Sequence, residues 1–544
     1  MLNQVPALVD YDVAQDPALQ AALSREGGAW AAAEVSELGV LAGAASTQDH
    51  ARLANVNKPV LRTHDSRGHR IDEVDFHPSW HYLMSVAVGH GLHAAPWSEQ
   101  RPGAHVARAA KFIVWTQAEA GHGCPVSMTY ASVPAIRHAP ELAASYVPLL
   151  AATSYDFGLR APLGKAGLLA GMAMTEKQGG SDVRANTTTA TPAGDGSYLL
   201  TGHKWFCSAP MCDLFLVLAQ APGGLTCFLL PRVLPDGSRN AMYIQRLKDK
   251  LGNTSNASSE VEYDQALAWP VGEPGRGVST IINMVSATRL DCVLGSTAAV
   301  RQATVIAAHY AARRRSFGAT LIDHPAMTEV IADLTLESEA ATTLALRLAG
   351  AADRAARGDA AEAALLRVAL PAAKYWVCKR TPMVTAEALE CLGGNGYVED
   401  YSPMPRLLRD APLNSIWEGS GNVTALDVLR ALTRAPDSAD ALLAELDLAA
   451  SDPRISAATA SLREQLKDLS ERDARMLAGQ ITLTLQAALL ARHAPPPVAD
   501  AFIASRLGTT AIARPASGPA MPFGTLPGGL DIASILARSA VTSG

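Results

Sequence analysis

Two long parts of the chain carry apolar residues at helical spacing, one from about residue 75 to 155 and the other from about 278 to 434. An apolar residue at every third or fourth position is typical of a helix that buries one face. Between these parts, short apolar segments near residues 197–231 are separated by Gly, Pro and Asp-Gly, as in strands joined by tight turns. The pattern therefore predicts a mainly α protein with a central β-domain.

The 544 residues are enough for three or four structural units, at roughly 100–200 residues each. The C-terminal part begins as an amphipathic helix and is interrupted at Pro495-Pro496-Pro497. Placing the boundaries where the pattern changes predicts an N-terminal helical domain over 1–170, a middle β-domain over 171–277, a C-terminal helical bundle over 278–436 and an extra helical C-terminal segment over 437–544.

Charge and composition narrow the function classes. The net charge is −6 and the pI is near 6.2, so the chain as a whole has no general attraction for nucleic acid or anionic membranes. No apolar run reaches the roughly 18 residues that a membrane helix needs, and the N-terminus lacks the features of a signal peptide. The seven cysteines are odd in number and lack metal-ligand spacing. We therefore predict a cytoplasmic protein with reduced thiols and no metal site.

The segment Asn414–Asn422, NSIWEGSGN, places Glu418 directly beside Trp417. A carboxylate packed against an indole ring loses solvation and its pKa rises, so that it becomes a base able to take a weakly acidic C–H proton near neutral pH. The alternative is an ordinary glutamate at a helix N-terminus, where the following amides stabilise negative charge. The segment alone leaves both interpretations open.

The loop Met174–Asp182, MTEKQGGSD, joins the first helical part to the β-domain. Thr175 offers a hydroxyl, while Gly180 and Ser181 let the backbone approach a ligand and donate N–H groups. The loop suits a pyrophosphate or a polar ring edge, and the alternative is a plain surface turn. It is neither a GxGxxG nor a Walker loop, so it does not indicate a Rossmann or P-loop fold.

About twenty residues later, the strand-like segment Gly202–Ser208 combines aromatic residues with a hydroxyl. Strand alternation predicts that Lys204, Phe206 and Ser208 share one face and that Cys207 lies on the other. A ring and a hydroxyl on one face can pack against a planar heterocycle and bond to its edge. The alternative is an ordinary β-core with a satisfied serine.

These segments, in this order, resemble the acyl-CoA dehydrogenase superfamily of flavoproteins. Further matches are Lys250-Leu-Gly252 with the polar run to Glu260, the segment RRSFG at 314–318, the segment LGGNGY at 392–397, and Arg409-Asp410. The resemblance covers roughly residues 75–434. The chain is most similar to the AidB-type branch, flavoproteins of the bacterial alkylation response. This similarity lies in the segments MTEKQGGSD, RLKDKLGN and NSIWEGSGN and in the extra C-terminal segment.

The resemblance implies an N-terminal helical bundle, a β-barrel-like middle domain and a C-terminal four-helix bundle, assembled as a homotetramer, with FAD between the middle domain and the C-terminal helices. It implies that Glu418 removes an α-proton from an acyl thioester while a hydride passes to flavin N5, and that the Glu418 N–H helps to bind the thioester oxygen. Phe317 and Arg314 would reach the FAD of a neighbouring subunit. The residues implied in FAD binding are Met174, Thr175, Gly180, Ser181, Phe206, Ser208, Arg314, Phe317, Gly393, Gly394, Trp417, Ser420 and Asn422.

Four positions depart from the family pattern. Ser286 stands where fatty-acyl members often have an Asp, and Glu390 where a Gln is common. Two milder replacements are Phe206, where a Trp usually packs beside the flavin, and Ser208, where a Thr hydroxyl usually bonds the N5 region. These departures put the ordinary acyl-CoA site in doubt. They support a second hypothesis, a flavin-bearing protein that binds double-stranded DNA and has little or no dehydrogenase activity.

DNA binding is attributed in this branch to the C-terminal segment. Residues 437–544 hold nine Lys/Arg against eleven Asp/Glu, which is not the concentrated basic surface that phosphate binding requires. Folding could still gather several arginines on one face, namely Arg472, Arg475, Arg492 and Arg506.

Overall fold

The computed structural model describes residues 3–507 and 523–541. Contacts divide the chain into two compact units. The bundle unit comprises residues 1–45, 102–118 and 289–544, and the barrel unit comprises residues 46–101 and 119–288. The four domain boundaries expected from the sequence stay a prediction.

The β-strands are numbered in chain order. They are β1 Val60–His64, β2 Arg70–Asp75, β3 Ala170–Ala173, β4 Thr189–Pro192, β5 Tyr198–Ser208, β6 Leu214–Ala221, β7 Gly224–Pro231, β8 Met242–Leu247, β9 Ser258–Val271, β10 Arg315–Ser316 and β11 Ala319–Thr320.

The α-helices of the described residues are numbered in the same way. They are α1 Pro17–Arg25, α2 Ala32–Gly43, α3 Ala45–Val56, α4 Pro78–Gly89, α5 Ala95–Ser98, α6 Ala104–Thr116, α7 Gly123–Ile136, α8 Pro140–Leu150, α9 Gly277–Ala311, α10 Pro325–Ala356, α11 Ala360–Cys391, α12 Met404–Asp410, α13 Gly421–Arg434, α14 Asp437–Asp447, α15 Pro453–Gln465, α16 Ala474–His493, α17 Pro496–Leu507 and α18 Ile532–Leu536.

The barrel unit is built on a seven-stranded sheet that closes on itself. Strands β4, β5, β9, β7 and β6 pair in that order, and β4 returns to β6 through a single parallel pair, Thr189 with Gln220. β3 also lies along β6, and β8 pairs with β9. β6 and β7 are buried along most of their length because one face packs against α7 and α8, where Ile136 and Leu150 meet Leu216. The β-barrel-like middle domain predicted from the sequence is confirmed.

In the bundle unit, α11 is the central helix. It packs against α10, α13, α14 and α16, and α10 also packs against α1 and α6. The residues of α11 between Val368 and Cys378 are nearly all buried, as its apolar sequence requires. The predicted mainly α fold with a central β-domain is confirmed.

The extra C-terminal segment continues the bundle rather than leaving it. α14 and α16 pack on α11, and the short α18 packs on α10. The interruption expected at Pro495–Pro497 is a helix start, because Pro496 is the first residue of α17 and needs no intrahelical N–H bond there. Arg514, one of the nine cationic residues counted above, lies outside the described residues.

Two further findings bear on the sequence analysis. All seven cysteines are buried free thiols. Among residues 3–507 and 523–541, no helix combines the length and the apolar character that crossing a bilayer requires.

Candidate active site

Glu418 lies in the turn that precedes α13, with a backbone φ of +56°, and Gly419 follows with a φ of +100°. A left-handed φ is costly for a residue with a Cβ atom and persists where the surroundings enforce it. Here three consecutive carbonyl groups accept hydrogen bonds from buried cations. Lys374 Nζ donates to Trp417 O at 2.8 Å and to Gly419 O, and Arg289 Nε donates to Glu418 O at 3.0 Å. Side chains of α9 and α11 therefore fix the turn.

Arg289 is itself held by Asp427 of α13. Arg289 Nη1 donates to Asp427 Oδ2 at 2.6 Å, and Arg367 Nη2 donates to Asp427 Oδ1 at 3.0 Å. Burial opposes ionisation of Asp427, but the two guanidinium groups outweigh it and hold its pKa below the usual value. The cation that holds the Glu418 carbonyl is thus paired on its far side.

The side chains of Trp417 and Glu418 are partly buried. Trp417 Nε1 donates to Asn414 Oδ1 at 2.9 Å, and Asn414 Nδ2 donates to Ser296 Oγ of α9 at 3.1 Å, so the indole orientation is fixed. Burial raises the pKa of the Cys292 thiol well above its ordinary value, and the Glu418 carboxylate adds to that effect. The carboxylate therefore lies within electrostatic range of α9.

The N-terminus of α13 follows the turn directly. Ser420 is the N-cap residue, in extended backbone, and its side chain makes no capping hydrogen bond. Ser420 and Asn422 are exposed. A Cβ atom added at Gly421 would lie 3.2 Å from Lys379 Nζ, so a cation stands beside this first turn. First-turn N–H groups, the helix dipole and a cation suit a phosphate group.

In the barrel unit, a backbone hydrogen bond joins the loop after β3 to the strand β5. Trp205 N donates to Thr175 O at 2.8 Å, and the carbonyl of Met174 accepts from Asn186 Nδ2 at 2.9 Å. A Cβ atom added at Gly180 would lie 2.5 Å from Thr175 Oγ1, so only glycine fits there. Gly180 and Ser181 are exposed, which leaves a narrow polar cradle open to a ligand.

The predicted alternation along β5 is wrong. Opposite β9, the register shifts between Lys204 and Cys207, which is a β-bulge with one extra residue on β5. Lys204 and Cys207 consequently both point inward and are buried, whereas Phe206 is 49% exposed. Lys204 and Phe206 therefore do not share a face.

The buried Lys204 is hydrogen-bonded to the loop Met174–Asp182 through Glu176. Its Nζ donates to Glu176 Oε1 at 2.8 Å and to Leu218 O at 2.7 Å. Burial alone would raise the pKa of Glu176, but the bonds from Lys204 and from the residues Thr187 and Thr188 lower it to about 2. Glu176 is thus a buried carboxylate between Thr175 and the glycines of the loop.

Phe206 and Ser208 have different surroundings. The exposed Phe206 ring has Lys248 Nζ at 4.8 Å from its centroid. Ser208 Oγ lies 3.1 Å from Ser258 Oγ on β9, and Ser258 Oγ also accepts from Lys250 Nζ at 3.2 Å. Ser208 therefore contacts a neighbouring hydroxyl and Phe206 is exposed, and the part of both residues in FAD binding stays a prediction.

Arg314 and Phe317 lie at the hairpin of β10 and β11. Phe317 is 96% exposed and has a backbone φ of +50°, which is unusual for a bulky side chain. Arg314 Nη1 donates to the carbonyl of Asn3. The contact of both residues with the FAD of a neighbouring subunit stays a prediction.

Gly393 and Gly394 open the short 3₁₀ turn Gly393–Tyr397 after α11. Gly393 has a φ of +59°, and a Cβ atom added at either glycine would have no heavy atom of the described residues within 4 Å beyond its own chain neighbours. Asn395 Nδ2 donates to Gln4 Oε1 at 3.2 Å, so the N-terminal residues adjoin this turn as well as the Arg314 hairpin. The family resemblance implies that Gly393 and Gly394 meet the adenosine end of the FAD, and this contact stays a prediction.

Three family models match the chain. They are the adaptive response protein AidB N-terminal domain over residues 3–157, the acyl-CoA dehydrogenase middle domain over 171–266 and the acyl-CoA dehydrogenase C-terminal domain over 275–433. A relative named "Putative acyl-CoA dehydrogenase AidB", from Escherichia coli (strain K12), is 46% identical over 498 residues, which cover 91% of this chain and 91% of the relative. The chain belongs to the acyl-CoA dehydrogenase family, in its AidB-type branch.

Solved structures support the family fold. Caenorhabditis elegans ACDH-11, in complex with C11-CoA, is 26% identical, with a TM-score of 0.84 over 95% of this chain and 93% of that one. An acyl-CoA dehydrogenase from Bacillus anthracis complexed with FAD has a TM-score of 0.62 at 21% identity over 79% of each chain, which is a likeness of fold. The resemblance found in the sequence motifs is therefore confirmed.

Sequence reasoning overlooked the cations that hold the Glu418 turn. Lys374 could have been recognised from the sequence, because it is a single charged residue in the apolar stretch Leu370–Val377 of a long helix. A lone lysine in such a stretch is expected to be buried with a specific partner.

Proposed function

We propose that this protein is an FAD-dependent oxidoreductase of acyl-CoA dehydrogenase type, with Glu418 as the base. The observation that carries the proposal is the enforced turn at Glu418. A glutamate that merely begins a helix needs only the helix amides, whereas this residue is kept at a φ of +56° by two cations from other helices. Backbone strain of this kind is typical of residues whose side chain must point in one direction.

The cofactor is FAD, as family membership leads us to expect, and the residues present fit it. The cradle at Thr175 and Gly180 would be filled by any Cβ atom at position 180, and the first turn of α13 suits a pyrophosphate. Phe206 would pack beside the flavin ring. When bound, FAD supplies the acceptor for two electrons and a proton equivalent, in the form of a hydride.

The reaction converts an acyl thioester into its 2,3-unsaturated product. The Glu418 carboxylate would take the proton as the α C–H bond breaks, and bound FAD would supply the acceptor for the hydride that leaves as the β C–H bond breaks. The electron pair of the α C–H bond becomes the new double bond. The negative charge that develops on the thioester oxygen needs a donor, and we assign this role to the Glu418 N–H. The C11-CoA complex of the nematode relative supports an acyl-CoA substrate.

Anaerobic titration with a medium-chain acyl-CoA tests the proposal. We expect the yellow protein to bleach, and Glu418→Gln to retain bound flavin but to bleach only at a small residual rate. Glu464→Gln is a matched control, because Glu464 is an exposed acid that is paired with Lys467 at 2.7 Å. It should bleach as the wild type does. Equal bleaching by Glu418→Gln would remove Glu418 from the mechanism.

Double-stranded DNA binding stays a prediction, and three of the four arginines named for it have partners within the chain, namely Arg475, Arg492 and Arg506. Arg506 is paired with Asp333 and with Glu337, and Arg492 Nη1 lies 2.9 Å from Glu445 Oε1. Arg475 Nε donates to Tyr375 OH at 3.0 Å. Charges neutralised within the chain release few counterions from DNA. A gel shift with duplex DNA at two salt concentrations tests the hypothesis, and strong binding that weakens with salt would support it.

A further inference from the structure

Lys374 is a fully buried lysine whose hydrogen bonds go to backbone. It is 1% exposed, and it donates to the carbonyls of Trp417 and Gly419. Among the ion pairs of residues 3–507 and 523–541, none contains Lys374. Burying an ammonium group costs free energy that is recovered only through specific partners. The partners of Lys374 are the carbonyl groups of Trp417 and Gly419, on either side of Glu418.

The bond to Trp417 O also sets the direction of the next N–H group. The chain has no cis peptide bonds among its described residues, and in a trans peptide the C=O and the following N–H point in opposite directions. Because Trp417 O points at Lys374 inside the bundle unit, the Glu418 N–H must point away from Lys374. A single ammonium group thereby orients the N–H that we assign to the thioester oxygen.

The bond to Gly419 O acts on the other side of the same residue. Gly419 has a φ of +100°, and a Cβ atom added there would lie 3.3 Å from Arg289 Nη2. With both flanking carbonyls held by Lys374 and its own carbonyl held by Arg289, Glu418 cannot relax its φ of +56° by rotating either peptide plane. The direction of its Cα–Cβ bond is therefore set from α11.

We infer that Lys374 is a positioning residue for the reaction, and this inference rests on the proposed function of Glu418. Lys374 aims the carboxylate at the α-carbon and the Glu418 N–H at the thioester oxygen, without touching the substrate. A loss of this control acts on the chemical step more than on substrate binding. A purely structural lysine would instead affect stability alone.

The test is a double-mutant cycle between Lys374→Met and Glu418→Gln, measured as anaerobic flavin reduction by an acyl-CoA. We expect Lys374→Met to lower the reduction rate roughly 100-fold, as a displacement of about 1 Å does, with a smaller change in KM. In the Glu418→Gln background the same substitution should change the residual rate by less than about twofold, because residues that act as one unit are not additive. Equal factors in both backgrounds would overturn the inference.

Two controls separate positioning from folding. Lys111→Met removes another buried lysine of the bundle unit, one paired with Glu34, and should leave the reduction rate unchanged. FAD dissociation constants and melting temperatures of the apoproteins should be similar for Lys111→Met and Lys374→Met. If Lys374→Met does not fold, Gly419→Ala disturbs the same turn from the backbone and should give the same loss of rate.

The outcomes also separate this inference from the proposed function. A wild-type protein that binds no FAD, or a Glu418→Gln variant as active as the wild type, contradicts the proposed function. An inactive Glu418→Gln variant together with a fully active Lys374→Met variant contradicts only the role of Lys374.

Discussion

Lys204→Met is predicted to weaken both the barrel unit and the loop Met174–Asp182. The substitution keeps an apolar chain of similar length but removes the ammonium group that bonds Glu176 Oε1 at 2.8 Å and Leu218 O at 2.7 Å. Both Lys204 and Glu176 are almost completely buried, so no solvent replaces the lost bonds. Glu176 lies inside the loop that contains Thr175 and Gly180.

Leaving one partner of a buried ion pair behind costs about 3–5 kcal/mol. The lower end applies here, because the Glu176 carboxylate also accepts from Thr187 N at 2.6 Å, from Thr187 Oγ1 at 2.9 Å and from Thr188 N at 3.1 Å. Burial lowers the pKa of Lys204 even beside Glu176, so the stability of the pair comes mainly from the carboxylate. The double variant Lys204→Met/Glu176→Gln removes the unpaired charge and should recover most of the loss.

The same pair predicts a pH dependence. The pKa of Glu176 falls from 4.5 to about 2 on folding, so its contribution to stability is complete above about pH 4.5 and is lost as the pH falls towards 2. A shift of this size corresponds to on the order of 3 kcal/mol at neutral pH. In the double variant this component of the acid dependence should be absent.

Chemical denaturation followed by circular dichroism at several pH values measures these quantities. Flavin fluorescence, which reports the FAD dissociation constant, checks the coupling to the loop. A Lys204→Met variant as stable as the wild type at neutral pH would refute the reasoning. So would a double variant that is less stable than the single one.

Two further predictions concern FAD and assembly. Gly180→Ala places a Cβ atom 2.5 Å from Thr175 Oγ1, so the loop must open and FAD binding should weaken by about tenfold, or about 1.4 kcal/mol. Gly164→Ala is the control, because a Cβ atom there has no heavy atom of the described residues within 4 Å; equal FAD dissociation constants for the two variants would contradict a ligand-binding loop at Gly180. Phe317→Ser should leave the folding stability unchanged, because the ring is 96% exposed, but should shift a homotetramer towards smaller species in light scattering; an unchanged mass would contradict an interface at this hairpin.

The element types could be predicted because they depend on local periodicity. The glycines of the loop at 174–182 and the aromatic residues of the following strand were recognisable from residue types alone. The bulge in β5 was not, since it depends on how Lys204 and Cys207 pair with residues of β9 that lie more than fifty positions away. A register shift of this kind cannot be recognised from the hydrophobic periodicity of the strand that contains it.

The hydrogen bonds that hold the Glu418 turn could not be predicted from the sequence for a similar reason. Lys374 and Arg289 reach it across 43 and 129 positions respectively, and both bond to backbone carbonyls, which have no residue identity to recognise. Whether Arg492 and Arg506 are paired also depends on acidic residues that are distant in sequence, Glu445 and Glu337. Counting charges in the C-terminal segment could indicate a weak basic surface, but not which arginines are neutralised.

The central claim is that Glu418 removes the α-proton of an acyl thioester as the flavin is reduced. The most direct test compares the anaerobic rate of flavin reduction by an acyl-CoA with the rate for the same compound deuterated at its α-carbon. The account predicts slower reduction with the deuterated compound in the wild type and only a small residual rate with either compound in Glu418→Gln. Equal rates for the two compounds, with a Glu418→Gln variant that is reduced as fast as the wild type, would contradict it.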